Sequence, residues 1–192
     1  SYASRIFNVA VGANVVLNSL TLTNGHSDAS DWGGALINNG PLALNHCTLA
    51  GNFVDGTGSG GAIENVGTLT LSGCTFADNG AGYAGAIRNE TTCAIQNCTF
   101  SGNHVPDNGG AIDNVFGATL NLLHCTFSGT SAGGDGGDIE NYSSQLNFTN
   151  SIIAANTGDD IYNWSGSTVA AGGANIVQTL YNDGTLTGSD SL

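Results

Sequence analysis

Hydrophobic and polar positions alternate in short segments of this chain, and no segment shows the three- to four-residue period of an amphipathic helix. In the segments Leu42 to Leu44 and Leu69 to Leu71, two leucines flank one small or polar residue. Residues two apart lie on the same face of a β-strand, so each segment predicts a strand that buries one face. The alternation therefore predicts an all-β chain built from short strands.

The strand segments belong to a repeat of 22 to 27 residues. One register of the repeat holds asparagine, at Asn38, Asn65, Asn89, Asn114, Asn141 and Asn163. A second register holds mainly cysteine, at Cys47, Cys74, Cys98 and Cys125. Such a repeat, with a period of two inside it, is typical of a single-stranded parallel β-helix, whose coils stack about 4.8 Å apart. We predict a solenoid of about six to seven coils.

The repeats extend over the whole chain, so we predict one β-helix domain over residues 1–192. Residues 1–32 form its first coil, residues 33–164 its regular repeats, and residues 165–192 a divergent last coil. Paired glycines in the repeats predict tight corners, and the small residues Ala35, Ala62, Ala86 and Ala111 fit the bend that follows. The asparagines are expected to point inward and to bond unpaired turn groups in neighbouring coils.

Three segments carry a resemblance to a known family: GGALINNGPLALNHCTLAGN, GGAIENVGTLTLSGCTFADN and GGAIDNVFGATLNLLHCTFSGT. They resemble the repeats of chlamydial polymorphic outer membrane proteins, whose signature is Gly-Gly-Ala-Ile followed by Phe-x-x-Asn. Thr130 departs from that signature. The chain is also similar to a wider class of bacterial surface and secreted β-helix proteins. The resemblance implies a right-handed helix, an extracellular or cell-surface location and an adhesive or structural role. Because pectate-lyase-like enzymes share the scaffold, it leaves the function open.

The chain carries 15 acidic residues and only two basic ones, a formal net charge of −13. This charge repels nucleic acids and anionic membranes. Apolar runs are too short to span a bilayer, and residues 1–20 do not read as a signal peptide, so any export signal is expected outside this chain. The expected partners are a second copy stacked end to end or further coils of a longer chain, and also polysaccharide or another surface.

The five cysteines, Cys93 included, have no matching histidines for a zinc site. Neighbouring coils bring two sulfur atoms close enough for a disulfide. Parallel side chains that point into a core rarely offer the torsion that a disulfide needs, however. We therefore favour buried thiols that pack as small hydrophobic groups over disulfides.

A column of mostly charged residues lies between the isoleucine and asparagine registers, at Ile37, Glu64, Arg88, Asp113, Glu140 and Tyr162. In one interpretation Asp113 and Glu140 are an acid pair that cleaves a glycosidic bond. In the other the column is an outward charge ladder in which Arg88 neutralises its neighbours. Short loops predict little cleft, so we favour the ladder and predict no catalytic residues.

A second acidic cluster, at Asp135, Asp138, Asp159 and Asp160, is the candidate metal site. Carboxylates one coil apart repel one another unless a cation bridges them or turn amides bind them. Calcium is the cation that oxygen ligands of this kind prefer, and it is the one cofactor that the sequence suggests. Capping of the corner by the aspartates themselves is the alternative, and we favour it.

Between the cysteine register and the next inward residue stands a threonine column, at Thr21, Thr48, Thr75, Thr99 and Thr126. The next outward column is small, and Thr23, Ser101 and Ser128 belong to it. Together they predict a flat, uncharged face like that of β-helical ice-binding proteins. Threonine also simply suits exposed strand positions. In the last coils, Tyr142, Tyr162 and Trp164 could stack on a sugar or cover the end of the core.

From these features we predict a non-catalytic, extracellular structural or adhesive module of a bacterial surface or matrix protein. Its termini begin and end in strand-like segments without an evident cap, which favours end-to-end association into filaments. An ice- or crystal-binding protein that uses the threonine face is one alternative. A polysaccharide-active lyase or glycosidase is the other.

Overall fold

The computed structural model describes residues 4–188, which form a right-handed parallel β-helix of 27 strands. No helix occurs in this part of the chain, so none there could span a membrane. The predicted fold class is confirmed. Positions 1–3 and 189–192 of the predicted domain lie outside the described residues.

Three parallel sheets run along the solenoid, and each coil contributes one strand to each in turn. The first sheet contains Phe7–Val9, Leu36–Asn38, Ile63–Asn65, Ile87–Asn89, Ile112–Asn114, Ile139–Asn141, Ile161–Asn163 and Leu180–Asn182. The second contains Val15–Asn18, Pro41–Asn45, Thr68–Ser72, Thr92–Gln96, Thr119–Leu123, Gln145–Thr149, Thr168–Gly172 and Thr185–Thr187. The third contains Thr21–Thr23, Thr48–Ala50, Thr75–Ala77, Thr99–Ser101, Thr126–Ser128, Ile152–Ile153 and Ile176–Val177. Two short pairs add His26–Ser27 with Phe53–Val54, and His104–Val105 with Ser131–Ala132.

The last part of the chain keeps the register of the coils before it. Thr168 lies opposite Gln145 in the second sheet, and Thr185 lies opposite Thr168. In the first sheet, Asn182 lies opposite Asn163. The expected divergence after residue 165 is therefore one of sequence, whereas the backbone continues the solenoid to residue 187.

The core is a set of columns in which like residues stack from coil to coil. Phe76, Phe100 and Phe127 show this most clearly, because their rings stack nearly parallel with centroids 4.8 and 4.5 Å apart. All three side chains are fully buried. Parallel pairing in register produces this stacking, since it places the same side chain of successive coils one strand spacing apart.

The predicted asparagine ladder is present and continues one coil further, to Asn182. Each side-chain amide donates to the Oδ1 of the next asparagine, at 2.6 to 2.8 Å. The same nitrogen also reaches the backbone: Asn114, for example, donates to the carbonyl oxygen of Gln145 at 3.1 Å. The six amides from Asn38 to Asn163 are fully buried, and they therefore satisfy one another and the corner between the first and second sheets.

A second asparagine ladder, which the sequence analysis did not identify, follows the third sheet. Asn52 donates to Asn79, and Asn79 to Asn103, both at 2.9 Å. These are the asparagines of the Phe-x-x-Asn signature, so the signature has a structural cause. Thr130 occupies the next position and ends this ladder.

All five cysteines are buried free thiols, as favoured from the sequence. Their sulfur atoms also have a polar role, because the backbone N–H of Cys74 donates to the Sγ of Cys98 at 3.3 Å. The hydroxyl of Ser151 accepts the same kind of bond from the N–H of Cys125 at 3.1 Å. The cysteine column is therefore a hydrogen-bonded ladder as well as a hydrophobic one.

Paired glycines mark the corner before four strands of the first sheet, those that begin at Leu36, Ile63, Ile112 and Ile139. Gly60 has a φ of 66°, in the left-handed region that favours glycine. At Gly61 a Cβ atom would overlap the carbonyl oxygen of Gly85 in the next coil. The residue after the second glycine is fully buried in these corners. It is Ala62 in one coil and Asp138 in a later one.

Candidate functional site

The outer face of the first sheet carries a cleft of about 460 Å³. Its floor contains Arg88, Asp113 and Glu140, the middle residues of three consecutive strands. The corners on both sides of the sheet supply the remaining residues of the lining: Trp32, Thr57, Ser59, Tyr83, Asn108, Val115, Phe116, Tyr142 and Trp164. The expectation that short loops would leave little cleft is therefore wrong.

The repeat itself positions the floor. In each first-sheet strand the isoleucine and the asparagine point into the core, so the residue between them points outward. Register pairing sets Arg88 beside Asp113 and Asp113 beside Glu140. The floor is thus a row of ionisable groups about 4.8 Å apart along the solenoid axis.

Aromatic side chains form much of both walls. Trp32 precedes the sheet and is 40% exposed, whereas Phe116 and Tyr142 follow it and are 63% and 44% exposed. The Tyr142 and Trp164 rings meet edge to face, with centroids 5.8 Å apart. Large exposed rings on facing walls give the cleft an apolar lining above a polar floor.

Arg88 is held inside the cleft by its charge partners. Its Nη1 lies 3.0 Å from Asp113 and 3.2 Å from the hydroxyl of Ser59. Its Nε lies 3.1 Å from Glu90. The guanidinium carbon also lies 5.4 Å from the Trp32 ring centre and 5.2 Å from that of Phe116. The positive charge is therefore balanced by the protein itself.

Glu64, one coil before Arg88, lies beneath the cleft and is fully buried. Neither of its oxygens has a hydrogen-bond partner among residues 4–188, and Arg88 lies 3.9 Å away. Burial raises the pKa of Glu64 to about 9, and the attraction of Arg88 offsets only part of this effect. The predicted outward ladder of neutralised charges is therefore wrong at this position, where the carboxyl group is buried and uncharged at neutral pH.

Asp113 and Glu140 are adjacent carboxyl groups, paired in register on neighbouring strands. They are 2% and 6% exposed, and burial raises the pKa of both groups. The negative charge of Glu140 raises the pKa of Asp113 further. Glu140 Oε1 accepts the indole N–H of Trp164 at 2.8 Å and the amide of Asn108 at 3.0 Å. Two adjacent buried carboxyl groups cannot both ionise readily, so the pair holds one proton.

The pair lies within a single strand spacing, because register pairing places Asp113 beside Glu140, about 4.8 Å apart along the solenoid axis. Retaining glycosidases hold their two carboxyl groups about 5 to 5.5 Å apart and inverting enzymes about 6.5 to 9.5 Å apart. Both carboxyl groups are engaged by the protein itself, Asp113 Oδ2 by Arg88 and Glu140 Oε1 by Trp164 and Asn108.

The second acidic cluster brings together two of its four aspartates. Asp138 and Asp160 are buried and share the side-chain amide of Asn156. Asp160 Oδ2 also accepts the backbone N–H groups of Gln178 and Thr179, both at 2.8 Å.

The other two aspartates, Asp135 and Asp159, are half-buried and outside this network. Within residues 4–188 no three His, Cys, Asp or Glu side chains are grouped as a metal site requires. Asp160 caps backbone N–H groups of the next coil, whereas Asp138 bonds to the side chains of Thr130 and Asn156. Calcium binding at this cluster stays a prediction.

The predicted threonine face lies on the outside of the third sheet. Thr21, Thr48, Thr75, Thr99 and Thr126 stand opposite one another in five consecutive strands. They are half-buried or exposed, as are Thr23, Ser101 and Ser128 in the next column. Ile152 takes the threonine position in the following coil. The geometry of the face is as predicted, and its use as a binding face stays a prediction.

The aromatic walls were missed as a group, although Tyr142 and Trp164 were noted as candidates for sugar stacking. Their signal in the sequence is an aromatic residue at the corners beside the acidic column, in DWGG, GYAG, NVFG, ENYS and YNWS. Each of these residues lies within a few positions of a first-sheet strand, on successive coils. Parallel stacking converts that recurrence into two walls, one before and one after the first sheet.

Comparison with known proteins supports the fold. Residues 6–153, more than half of the chain, match the family described as right-handed β-helix region. No curated protein and no solved structure shows significant similarity to the chain. Membership of this family establishes the solenoid and leaves the activity open, because function depends on the site and not on the fold. The chain belongs to the right-handed β-helix family.

Proposed function

We propose that this β-helix is a non-catalytic module of an extracellular surface or matrix protein and that it binds a glycan in the cleft on its first sheet. The observation that carries the proposal is the combination of aromatic walls with a floor of hydrogen-bonding groups. Sugar rings offer C–H faces that pack on aromatic rings, and hydroxyl groups that bond to carboxyl and amide groups.

The shape of the cleft suits part of a glycan chain. Its lining residues belong to the corners and strands of six successive coils, from Trp32 to Trp164. Since each coil advances about 4.8 Å, the cleft extends along the solenoid axis. A linear oligosaccharide would lie parallel to that axis and contact several coils.

The carboxyl groups favour binding over cleavage. Arg88 binds Asp113, and Trp164 and Asn108 bind Glu140. Glu64 is buried beneath the floor. Cleavage of a glycosidic bond needs an acid and a base or nucleophile that reach the bond from separate positions. Hydrogen bonding to sugar hydroxyls needs no such separation.

The test is retention of the purified chain on a panel of immobilised polysaccharides. We expect at least one polysaccharide to retain the wild-type chain, and the double variant Tyr142→Ala with Trp164→Ala to lose that retention. Phe53→Ala is the matched control, because Phe53 is 42% exposed and lies outside the cleft. Absence of binding to every polysaccharide would contradict the site, and release of reducing ends or unsaturated products would contradict its non-catalytic character.

The threonine face supports a second candidate function, ice or crystal binding. Five threonines in register give a flat array of hydroxyl and methyl groups with the strand spacing. Thermal hysteresis of the wild-type chain, lost on Thr99→Lys, would support this function. No hysteresis at any protein concentration would remove it.

End-to-end association remains part of the proposal. Within the described residues, Phe7–Val9 pairs on one side with Leu36–Asn38 only, and Thr185–Thr187 pairs with Thr168–Gly172 only. Such open edges accept a further strand, either from more coils of a longer chain or from a second copy. Sedimentation of the chain tests the second route, and monomers at high concentration would exclude it.

A further inference from the structure

One carboxyl oxygen in the floor of the cleft, Oδ1 of Asp113, is not bound by a cation of the described residues. Asp113 Oδ2 binds Arg88, but Asp113 Oδ1 has no hydrogen-bond donor among residues 4–188 and faces Glu140. Asp113 is 2% exposed and still lines the cleft. An unpartnered carboxyl oxygen beside a second carboxyl group is therefore a position where a ligand cation would fit.

The charged groups around this position leave it negative. Arg88 is the only cation in the lining, and Asp113 and Glu90 already bind it. Glu64 is uncharged at neutral pH because its burial raises its pKa to about 9. On the other side, the half-buried Asp135 adds a negative charge that acts on Glu140.

The aromatic rings beside the pair suit a cation as well as a sugar face. Trp164 bonds Glu140 directly, and Tyr142 lies against Trp164. Aromatic rings attract ammonium groups, and the attraction grows where water is excluded. A carboxylate pair next to two rings is a favourable environment for an ammonium group carried by a sugar.

We propose that the cleft selects glycans that carry free amino groups, and that the sugar ammonium binds to the adjacent carboxyl groups of Asp113 and Glu140. The inference rests on the proposed function and names the class of its ligand. The exchange balances: the protonated amine enters, the pair loses one proton to the buffer, and two carboxylates then face one ammonium. Uronic acid polymers are disfavoured, since their carboxylates meet this acidic floor in a chain of net charge −13.

The test compares three oligosaccharide probes by calorimetry: oligomers of glucosamine, of N-acetylglucosamine and of galacturonic acid. At about pH 6 a free aliphatic amine is protonated. We expect the glucosamine oligomer to bind about tenfold or more tightly than its acetylated form, a difference of about 1.4 kcal/mol. Titration in two buffers of different ionisation enthalpy should show release of protons with glucosamine only.

Glu140→Gln should abolish the preference and the proton release while weak binding of the acetylated oligomer persists. Asp78→Asn, which removes one negative charge from an exposed residue outside the lining, is the control and should keep both effects. Thermal unfolding verifies that each variant folds. If Glu140→Gln does not fold, Asp113→Asn takes its place in the test. Equal affinity for free and acetylated amines, or tighter binding of galacturonate, overturns the inference and keeps the proposed glycan site. If none of the three probes binds and none of the immobilised polysaccharides retains the chain, both the inference and the proposed glycan site are overturned.

Discussion

The Nε atom of Arg88 lies 3.9 Å from Oε1 of Glu64, and yet the Glu64 carboxyl group is uncharged at neutral pH. Arg88 lowers the pKa of Glu64, but complete burial raises it by more. The outcome depends on how Arg88 is shared, because its shorter contacts go to Asp113 and Glu90. One cation beside three acidic groups cannot keep all of them ionised.

Stability should therefore decrease with rising pH in the range that Glu64 governs. The unfolded chain ionises this group above about pH 4.5, whereas the folded chain keeps it protonated up to about pH 9. Unfolding releases a proton between these values, so the contribution of Glu64 is complete below pH 4.5 and is lost as the pH rises. The limiting slope is about 1.4 kcal/mol per pH unit for one group.

Glu64→Gln should flatten this part of the profile, and urea unfolding from about pH 5 to pH 9 measures it. The control is Asp78→Asn, since Asp78 is exposed and is not among the groups that shift the pKa of Glu64. A variant profile that parallels the wild-type profile would show that Glu64 is ionised in the folded chain.

The first asparagine ladder should contribute measurably to stability. Asn114→Ala removes a donor to Asn141 and an acceptor for Asn89 in the fully buried ladder. A buried polar group left without a partner costs about 1 to 3 kcal/mol. Asn18→Ala, at the exposed Asn18 on the outer surface, should change the free energy of unfolding by less than about 0.5 kcal/mol. Similar unfolding free energies for the two variants would contradict the ladder's role.

A substitution at the second corner glycine should be severe. Gly61→Ala places a methyl group on the Gly85 carbonyl oxygen, and both partners are backbone that cannot move aside. We expect a loss of about 3 kcal/mol or more, or failure to fold. Gly117→Ala is the comparison, because Gly117 has a φ of 84° and open space around its Cβ position. We expect this substitution to lower the free energy of unfolding by about 1 to 2 kcal/mol through backbone strain alone. Equal unfolding midpoints for the two variants would mean that the coils can separate locally.

The polar role of the cysteine column predicts an ordering of two substitutions. Cys98→Ser keeps an acceptor for the N–H of Cys74, as Ser151 does for Cys125. Cys98→Val fills similar space and leaves that N–H unpaired, at a cost of about 1 to 3 kcal/mol. We expect the valine variant to melt at a lower temperature than the serine variant. The reverse order would indicate that the column acts only through hydrophobic packing.

Periodicity in the sequence predicted most columns of the solenoid, because parallel stacking turns a repeat directly into a contact, but the ladder of Asn52, Asn79 and Asn103 was missed. Asn38 and Asn65 are 27 residues apart and hydrogen-bond for that reason. The cleft was not predicted, since its depth comes from corners of unequal length that carry aromatic residues. The column of Glu64, Asp113 and Glu140 was placed on the correct face. Its burial could not be predicted from the strand pattern. That pattern distinguishes inward from outward positions, but it does not show which outward positions are covered by the residues of the corners.

The central claim, a glycan site in the cleft, has a direct reporter. The chain contains two tryptophans, Trp32 and Trp164, and both line the cleft. Titration of the wild-type chain with the oligosaccharide that retains it should give a saturable change in tryptophan fluorescence. Trp164→Phe should reduce the amplitude and weaken binding, because it removes the indole N–H that holds Glu140. A protein that binds the glycan with unchanged fluorescence from both tryptophans would place the binding surface elsewhere and contradict the account.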